Sequence, residues 1–215
     1  MRAVPRSFYR RDALVVAPAL LHKLLVAGSR VGRIVEVEAY RGGEDPGSHA
    51  YRGPTRRNTT MFGPPGHLYV YFSYGMHWCA NVVCQPAGIP HAILIRALAP
   101  VAGIDEMRAA RSRGQKRPVG ERDLCRGPGR LCQALGIDGR HDGADLVGGG
   151  GGIRIVDDGT PPPRSIRATL PSGAETGAPV DTAFAVSRRV GLTRGADLPW
   201  RFYVAGDPHV SGPRV

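Results

Sequence analysis

A short run with two carboxylates and a tyrosine, VEVEAY (35–40), is the first candidate for chemistry. Side chains on a strand alternate between its two faces, so Glu36, Glu38 and Tyr40 share one face. A carboxylate at Glu38, in a pocket that also receives His49 from the following loop, could act as a general base on water. An ordinary solvated face opposite a buried one is the alternative, and this stretch alone leaves both interpretations open.

A second candidate region holds five aromatic residues within the ten positions Tyr69–Trp78. Two strand-like runs meet at Tyr74–Met76, which predicts a β-hairpin with Tyr74 at its tip. Tyr69 and Tyr71 share a face by strand alternation, which fits a half-buried strand as well as a pocket wall. A tyrosine at a turn tip is hard to bury. On a basic chain it is suited to stacking on a base or wedging between base pairs.

The charge of the chain favours nucleic acid as a partner. Its 215 residues carry a formal charge of +11, and 27 of the 29 basic residues are arginine, because Lys23 and Lys116 are the two lysines. Arginine suits phosphate oxygens, although an arginine-biased genome would give the same composition. Two clusters are candidates for phosphate contacts, with solvated basic faces as the alternative. They are Arg52, Arg56 and Arg57 beside Asn58, and Arg108, Arg111, Arg113, Lys116 and Arg117.

Other classes of protein fit the sequence less well. No apolar run reaches the ~18 residues that span a membrane, and the amino terminus lacks a signal-peptide pattern, so we expect a cytoplasmic protein, nucleoid-associated in a bacterium. The cysteines Cys79, Cys84, Cys125 and Cys132 do not have the spacing of a zinc site. We therefore expect buried, reduced thiols and no metal or cofactor.

The elements that must position these residues follow from periodicity and turn signals. They predict one α+β domain over residues 1–215, with a mostly antiparallel curved sheet, flanking helices and a protruding hairpin. Residues 147–179 form a loop-rich segment in which the glycine run Gly148–Gly152 is expected to be a flexible loop. A turn at Ala13–Ala17 capped by Asp12 is expected to stay separate from the helix that follows, because an interior proline breaks a helix. Predicted helices are Pro18–Val26, Gly103–Arg113 and Pro128–Leu135, and predicted strands are Val31–Tyr40, His67–Ser73, His77–Cys84, Ala92–Leu98 and Arg201–Val204.

Six blocks in order carry a resemblance to a known family: VEVEAY, the His49 loop, LYVYFSYGMHWCAN, LIRALAP, GPGRLCQALGI and RVGL…RFYVAGDPHVS. They resemble the alkyladenine (3-methyladenine) DNA glycosylase family over Leu20 to Ser211, nearly the whole chain. The resemblance implies an enzyme that inserts a hairpin into the minor groove of double-stranded DNA. It flips a damaged purine into a pocket and hydrolyses the N-glycosidic bond.

The resemblance also implies a role for individual residues. Glu38 resembles the general base, while Arg96 and the backbone of Val190 resemble the groups that hold the attacking water. Tyr40, His49 and Tyr71 resemble the pocket around the flipped base, and Asn81 the pocket-floor residue that disfavours normal guanine. Tyr74 resembles the residue that fills the gap in the duplex. Met76 and His77 stand where the hairpin touches the groove, and His77 replaces a tyrosine common in the family.

Neither lysine lies in a pocket motif, which predicts a monofunctional glycosylase without a Schiff-base step. The expected partner is DNA containing damaged purines of the 3-methyladenine, hypoxanthine and ethenoadenine class, bound by a monomer. A non-catalytic module that binds damaged DNA is one alternative. An RNA-binding protein is another, because the sheet type also resembles the C-terminal domain of methionyl-tRNA formyltransferase.

Overall fold

The strand that carries VEVEAY lies at the centre of the sheet. The computed structural model describes residues 1–165 and 183–212. In this part of the chain, β3 (Arg30–Arg41) pairs along one edge with β6 (His91–Ala102). Its other edge is shared by β2 (Leu24–Ala27) and β10 (Arg201–Val204). Both edges of β3 are therefore paired, and the side chains of Glu36 and Glu38 are completely buried.

The remaining strands extend the sheet from these neighbours. Beyond β6 lie β5 (His77–Cys84) and then β4 (Leu68–Ser73), which form the predicted hairpin. Beyond β2 lie β7 (Ile153–Asp157) and β1 (Arg2–Ala3). Beyond β10 lie β9 (Ala183–Ser187) and β8 (Arg164–Ser165), which pair in parallel, whereas the other pairings are antiparallel. This curled antiparallel sheet with few helices confirms the predicted α+β class.

Four α-helices within the described residues pack on the sheet: α1 (Arg6–Tyr9), α2 (Ala13–Leu20), α3 (Ile104–Ser112) and α4 (Pro128–Leu135). The predicted helix at 128–135 is confirmed, and Gly136 ends it in the left-handed region with a φ of 73°. Helix α4 packs against β5. A Cβ atom on Gly129 would lie 2.6 Å from the His77 ring, so a glycine there lets the helix approach the hairpin next to its turn.

The predicted helix at Pro18–Val26 is wrong. Helix α2 starts earlier, after the Asp12 cap, and continues through Pro18 to Leu20. His22 then takes a positive φ of 71°, and the chain returns as β2 between β3 and β7. Leucines at three- and four-residue spacing also fit a strand buried on both faces, and periodicity alone does not separate the two.

The loop-rich segment 147–179 contains a strand that the sequence did not reveal. The glycine run forms turns held by backbone hydrogen bonds, in which Gly150 donates to Asp145 and Gly152 to Gly149. Strand β7 follows, with Ile153 and Ile155 buried in the core. Residues 166–179 of this segment lie outside the described residues.

All four cysteines are buried free thiols, as predicted. Burial raises the pKa of the Cys125 thiol to about 12, and the pKa of Cys84 is raised for the same reason. These thiols therefore stay protonated at neutral pH and act as small apolar groups. Within residues 1–165 and 183–212, no helix is long and apolar enough to cross a bilayer.

Tyr9 is completely buried, and its hydroxyl has no hydrogen-bond partner among the described residues. Tyr9→Phe is therefore expected to raise the free energy of unfolding by about 1 kcal/mol, because it removes a desolvated, unpaired hydroxyl. The Tm should rise by roughly 2–4 °C. Tyr69→Phe is the matched control, since that buried hydroxyl is paired with His49 and its loss should not stabilise the protein. A lower Tm for Tyr9→Phe would show that the hydroxyl is satisfied.

Candidate active site

A cavity of about 370 Å³ opens beside the β4–β5 hairpin, and we refer to it as the hairpin cavity. Its walls come from β3, β4, β5, β6, the loop after β3 and the segment 190–192, so distant parts of the chain meet there. Glu38 lies directly behind the wall, and Met76 lies outside the cavity near the hairpin tip. The predicted site residues that line it are Tyr40, His49, Arg57, Tyr71, Tyr74, His77, Asn81, Arg96 and Val190.

Glu38 is completely buried, and its carboxylate is held by three donors. The Tyr40 hydroxyl donates to Oε2 over 2.9 Å. The Val190 backbone N–H donates to Oε1 over 2.7 Å, and Arg96 Nη1 lies 3.2 Å from the same oxygen. Three parts of the chain thus fix one carboxylate, and each of them also lines the hairpin cavity.

Arg96 joins the two buried carboxylates of β3. Its Nε donates to Glu36 Oε1 over 2.8 Å while its Nη1 contacts Glu38. Although burial opposes the charge, Glu38 and Glu36 raise the pKa of Arg96, so the guanidinium stays charged. Glu36 also accepts from Arg201 Nε over 2.8 Å and from the Ser211 backbone N–H over 2.5 Å. The shared face predicted for Glu36 and Glu38 is confirmed, but it is a buried ionic network and not a solvated surface.

A second buried ion pair ties the His49 loop to the Val190 segment. The Arg189 guanidinium donates to both oxygens of Asp45, over 2.5 Å and 2.7 Å, and both side chains are inaccessible to solvent. The guanidinium carbon also lies 4.6 Å from the centre of the Tyr40 ring. Arg189 contacts the Tyr40 ring and directly precedes Val190 in the chain. The ion pair therefore helps to position two of the groups that donate to Glu38, the Tyr40 hydroxyl and the Val190 N–H.

Tyr40 is a permanent hydrogen-bond donor in this arrangement. Burial, followed by the nearby Glu38 carboxylate, raises the pKa of its hydroxyl well above the usual value. The hydroxyl therefore stays protonated at neutral pH. Tyr40 also lines the cavity.

Three rings form an aromatic wall of the cavity. His49 meets Tyr71 edge-on with centroids 4.4 Å apart, and the Tyr69 and Tyr71 rings are 5.4 Å apart. The Tyr69 hydroxyl lies 3.1 Å from His49 Nδ1. Burial, then the Arg57 charge, lowers the pKa of His49, so its ring is neutral at pH 7. A planar aromatic ligand would meet π faces and a neutral imidazole here.

Asn81 lines the cavity and lies opposite Tyr69 in the β4–β5 register. It is buried, and its Nδ2 donates to the Tyr69 carbonyl oxygen over 3.1 Å. This bond fixes the orientation of the amide, so Asn81 presents one defined polar surface to the cavity.

The hairpin tip carries strain and exposed apolar surface together. Tyr74 has a φ of 50° and Gly75 a φ of 65°, the positive values that the tight turn requires. Tyr74 is 80% exposed and Met76 is 73% exposed. A positive φ is uncommon for a tyrosine and costs of order 1 kcal/mol, with no core contact to offset it. Stability therefore does not explain the tyrosine.

The predicted phosphate clusters differ in the freedom of their side chains. Arg57 is exposed near the cavity, with Nη2 donating to the Phe72 carbonyl oxygen over 3.1 Å. Arg108 already forms ion pairs with Asp105 and Glu121. Arg111 donates to the Leu124 carbonyl oxygen and to Gln133. Part of the second cluster thus supports α3 and its neighbours.

Comparison with known proteins identifies the family. The family model of methylpurine-DNA glycosylase matches residues 7–208. The chain belongs to the methylpurine-DNA glycosylase family. It is therefore a DNA-repair enzyme, a hydrolase that acts on N-glycosyl bonds, with DNA as its substrate.

Bacterial relatives match over nearly their full length, and each is provisionally named a 3-methyladenine DNA glycosylase. One from Burkholderia lata is 53% identical over 211 residues, 98% of this chain and 91% of the relative. One from Agrobacterium fabrum is 45% identical over 208 residues, 97% and 92% of the two chains. One from Carboxydothermus hydrogenoformans is 44% identical over 212 residues, 97% and 98%.

Several residues that build the candidate site were missed by sequence reasoning. Asp45 and Arg189 carried no local signal, because their partnership joins residues that lie far apart in the chain. Glu36 had a signal, since it shares a face with Glu38, but its arginine partners come from β6 and β10. Cys79 lies opposite Tyr71 in the hairpin and lines the cavity, which strand alternation from Asn81 would have indicated.

Proposed function

We propose that this glycosylase excises alkylated and deaminated purines of the 3-methyladenine, hypoxanthine and ethenoadenine class from double-stranded DNA. The observation that carries the proposal is Glu38, a carboxylate fixed behind an aromatic cavity by Tyr40, Arg96 and Val190. The target bond is inaccessible inside a base stack, so the damaged nucleotide must leave the duplex first. The exposed Tyr74 beside the cavity supports a role in filling the gap that remains.

In this proposal Glu38 acts as a general base at the sugar. Water attacks C1′, the N-glycosidic bond breaks, and its electrons leave with the purine while Glu38 accepts the proton of the water. Positive charge develops on the sugar, as in glycoside hydrolysis, and a nearby carboxylate stabilises it. Arg96 and the backbone of Val190 flank the same carboxylate, so a water that meets Glu38 from the cavity also meets these groups.

The positions of the two lysines support a monofunctional enzyme. Lys23 is buried and donates to Asp157 over 2.7 Å, and it does not line the hairpin cavity. Lys116 is exposed and also lies outside the cavity lining. A covalent Schiff base needs an amine at the sugar, and neither lysine is placed to supply one. We therefore expect hydrolysis that leaves an abasic site. One chain carries every residue of the proposed site, which supports action as a monomer.

Single-turnover release of base from three labelled duplexes tests this function. The duplexes carry hypoxanthine, ethenoadenine or 7-methylguanine, and parallel reactions contain borohydride. Release of a free base without a trapped protein–DNA complex is expected. Tight, salt-sensitive binding without release would favour a module that only binds damaged DNA, and a trapped complex would contradict the monofunctional mechanism.

Tyr74→Ala is expected to weaken binding to lesion-containing duplex by about 10- to 100-fold, because stacking of one aromatic on a base contributes on the order of 1–3 kcal/mol. Tyr74 makes no core contact and has a strained φ, so the Tm should not fall. Fluorescence anisotropy with labelled duplex and a thermal melt measure the two effects. Tyr51→Ala, which removes another exposed tyrosine, is the control. Equal affinities for both variants and wild type would contradict the role of Tyr74.

A further inference from the structure

Arg57 places a cation at the aromatic wall of the hairpin cavity. Its guanidinium carbon lies 5.3 Å from the centre of the Tyr71 ring. It lines the cavity, and a hydrogen bond from Nη2 to the Phe72 carbonyl oxygen ties it to the hairpin. Among the residues that the structure describes, no carboxylate forms an ion pair with Arg57.

The other cations close to the cavity differ in this respect. Arg96 is compensated by Glu36 and Glu38, and Arg189 by Asp45, all of them buried. Arg57 therefore contributes an uncompensated positive charge where the rings meet. The His49 pKa supports this, because the charge of Arg57 lowers it in addition to the effect of burial.

We propose that Arg57 is a specificity-determining residue that disfavours purines with a fixed positive charge relative to neutral damaged purines. The inference rests on the proposed function, since it concerns the same cavity and the same flipped base. A ring that already interacts with one cation gains less from a second cation. A cationic base also meets direct repulsion from Arg57, which is stronger in a partly desolvated cavity than in water. A neutral purine avoids both effects.

The test compares a cationic with a neutral lesion in one duplex sequence, 7-methylguanine against hypoxanthine. Single-turnover excision and competition binding each give a ratio of cationic to neutral substrate. In Arg57→Gln both ratios are expected to rise about fivefold, the size of one cation–π interaction at an exposed site. Arg57→Lys keeps the charge and should keep the wild-type ratios.

Arg56→Gln is the matched control, because it removes the same charge from an exposed neighbour that does not line the cavity. It should weaken the binding of both duplexes equally and leave the ratios unchanged. Unchanged ratios in Arg57→Gln would overturn the inference, as would an equal rise in Arg56→Gln. If neither base is released but the binding ratio shifts in Arg57→Gln, the proposed function fails while the inference stands.

Discussion

Replacing Glu38 with glutamine is expected to slow base excision by about 10³-fold, because the neutral amide can neither accept the proton of the attacking water nor stabilise the charge that develops on the sugar. The affinity for lesion-containing duplex should change by no more than a few-fold, since Glu38 lies behind the cavity wall and the lining residues remain. The experiment is single-turnover release of hypoxanthine, with anisotropy on the same duplex.

The substitution is well suited to separate chemistry from folding. Glutamine has the shape of glutamate, and its carbonyl oxygen can accept from Val190 and Arg96 where Oε1 does now. Its amide can donate to the Tyr40 hydroxyl oxygen, so that oxygen stays paired, while the Tyr40 O–H, which now donates to Oε2, must turn to another acceptor. Arg96 keeps Glu36 as a counter-charge. The Tm should therefore stay close to that of the wild type.

Glu44→Gln supplies the matched control. Glu44 lies in the loop after β3 and pairs with Arg41 at the surface, and it does not line the hairpin cavity. Its excision rate should match that of the wild type. A Glu38→Gln enzyme that releases base at a rate near that of Glu44→Gln would remove Glu38 from the mechanism.

Arg189→Met is expected to lower the free energy of unfolding by about 3–5 kcal/mol, because it leaves Asp45 buried without its counter-charge. For a chain of this length that corresponds to a fall in Tm of roughly 10 °C. The segment that carries the Val190 N–H also loses its ion pair. The excision rate should therefore fall by a larger factor than the affinity for DNA. Thermal and urea unfolding measure the first effect, and single-turnover kinetics measure the second.

Arg140→Met makes the same change in an exposed pair. Arg140 donates to Asp138 over 2.8 Å at the surface, where solvent screens the charges, so its loss should leave the Tm nearly unchanged. The double variant Arg189→Met with Asp45→Asn should recover part of the lost stability, because no unpaired charge remains buried. Equal Tm values for the Arg189 and Arg140 single variants would contradict the importance of burial.

The strands that form the site were readable from the sequence because they carry local signals. The tight turn at Tyr74–Met76 predicted the hairpin, and β5 and β10 have the bounds expected from their β-branched and aromatic runs. The helix predicted at Pro18–Val26 was wrong, because a run of leucines fits the period of a helix as well as a strand that is buried on both faces. Strand β7 was missed because a glycine run precedes it and its partners, β1 and β2, lie far away in the chain.

The sequence by itself placed Glu38 beside Tyr40 and Tyr71 beside Tyr69, because strand alternation does so whatever surrounds them. It indicated Arg96 and Val190 only through the family resemblance. Only the tertiary structure decided their state. Whether Glu36 and Glu38 meet water or arginine depends on which strands cover β3, and Arg96 and Arg201 arrive from different parts of the chain. Tertiary packing likewise placed the positive charge of Arg57 against the Tyr71 ring. Burial and ion pairing are properties of packed neighbours, and local residue patterns do not contain them.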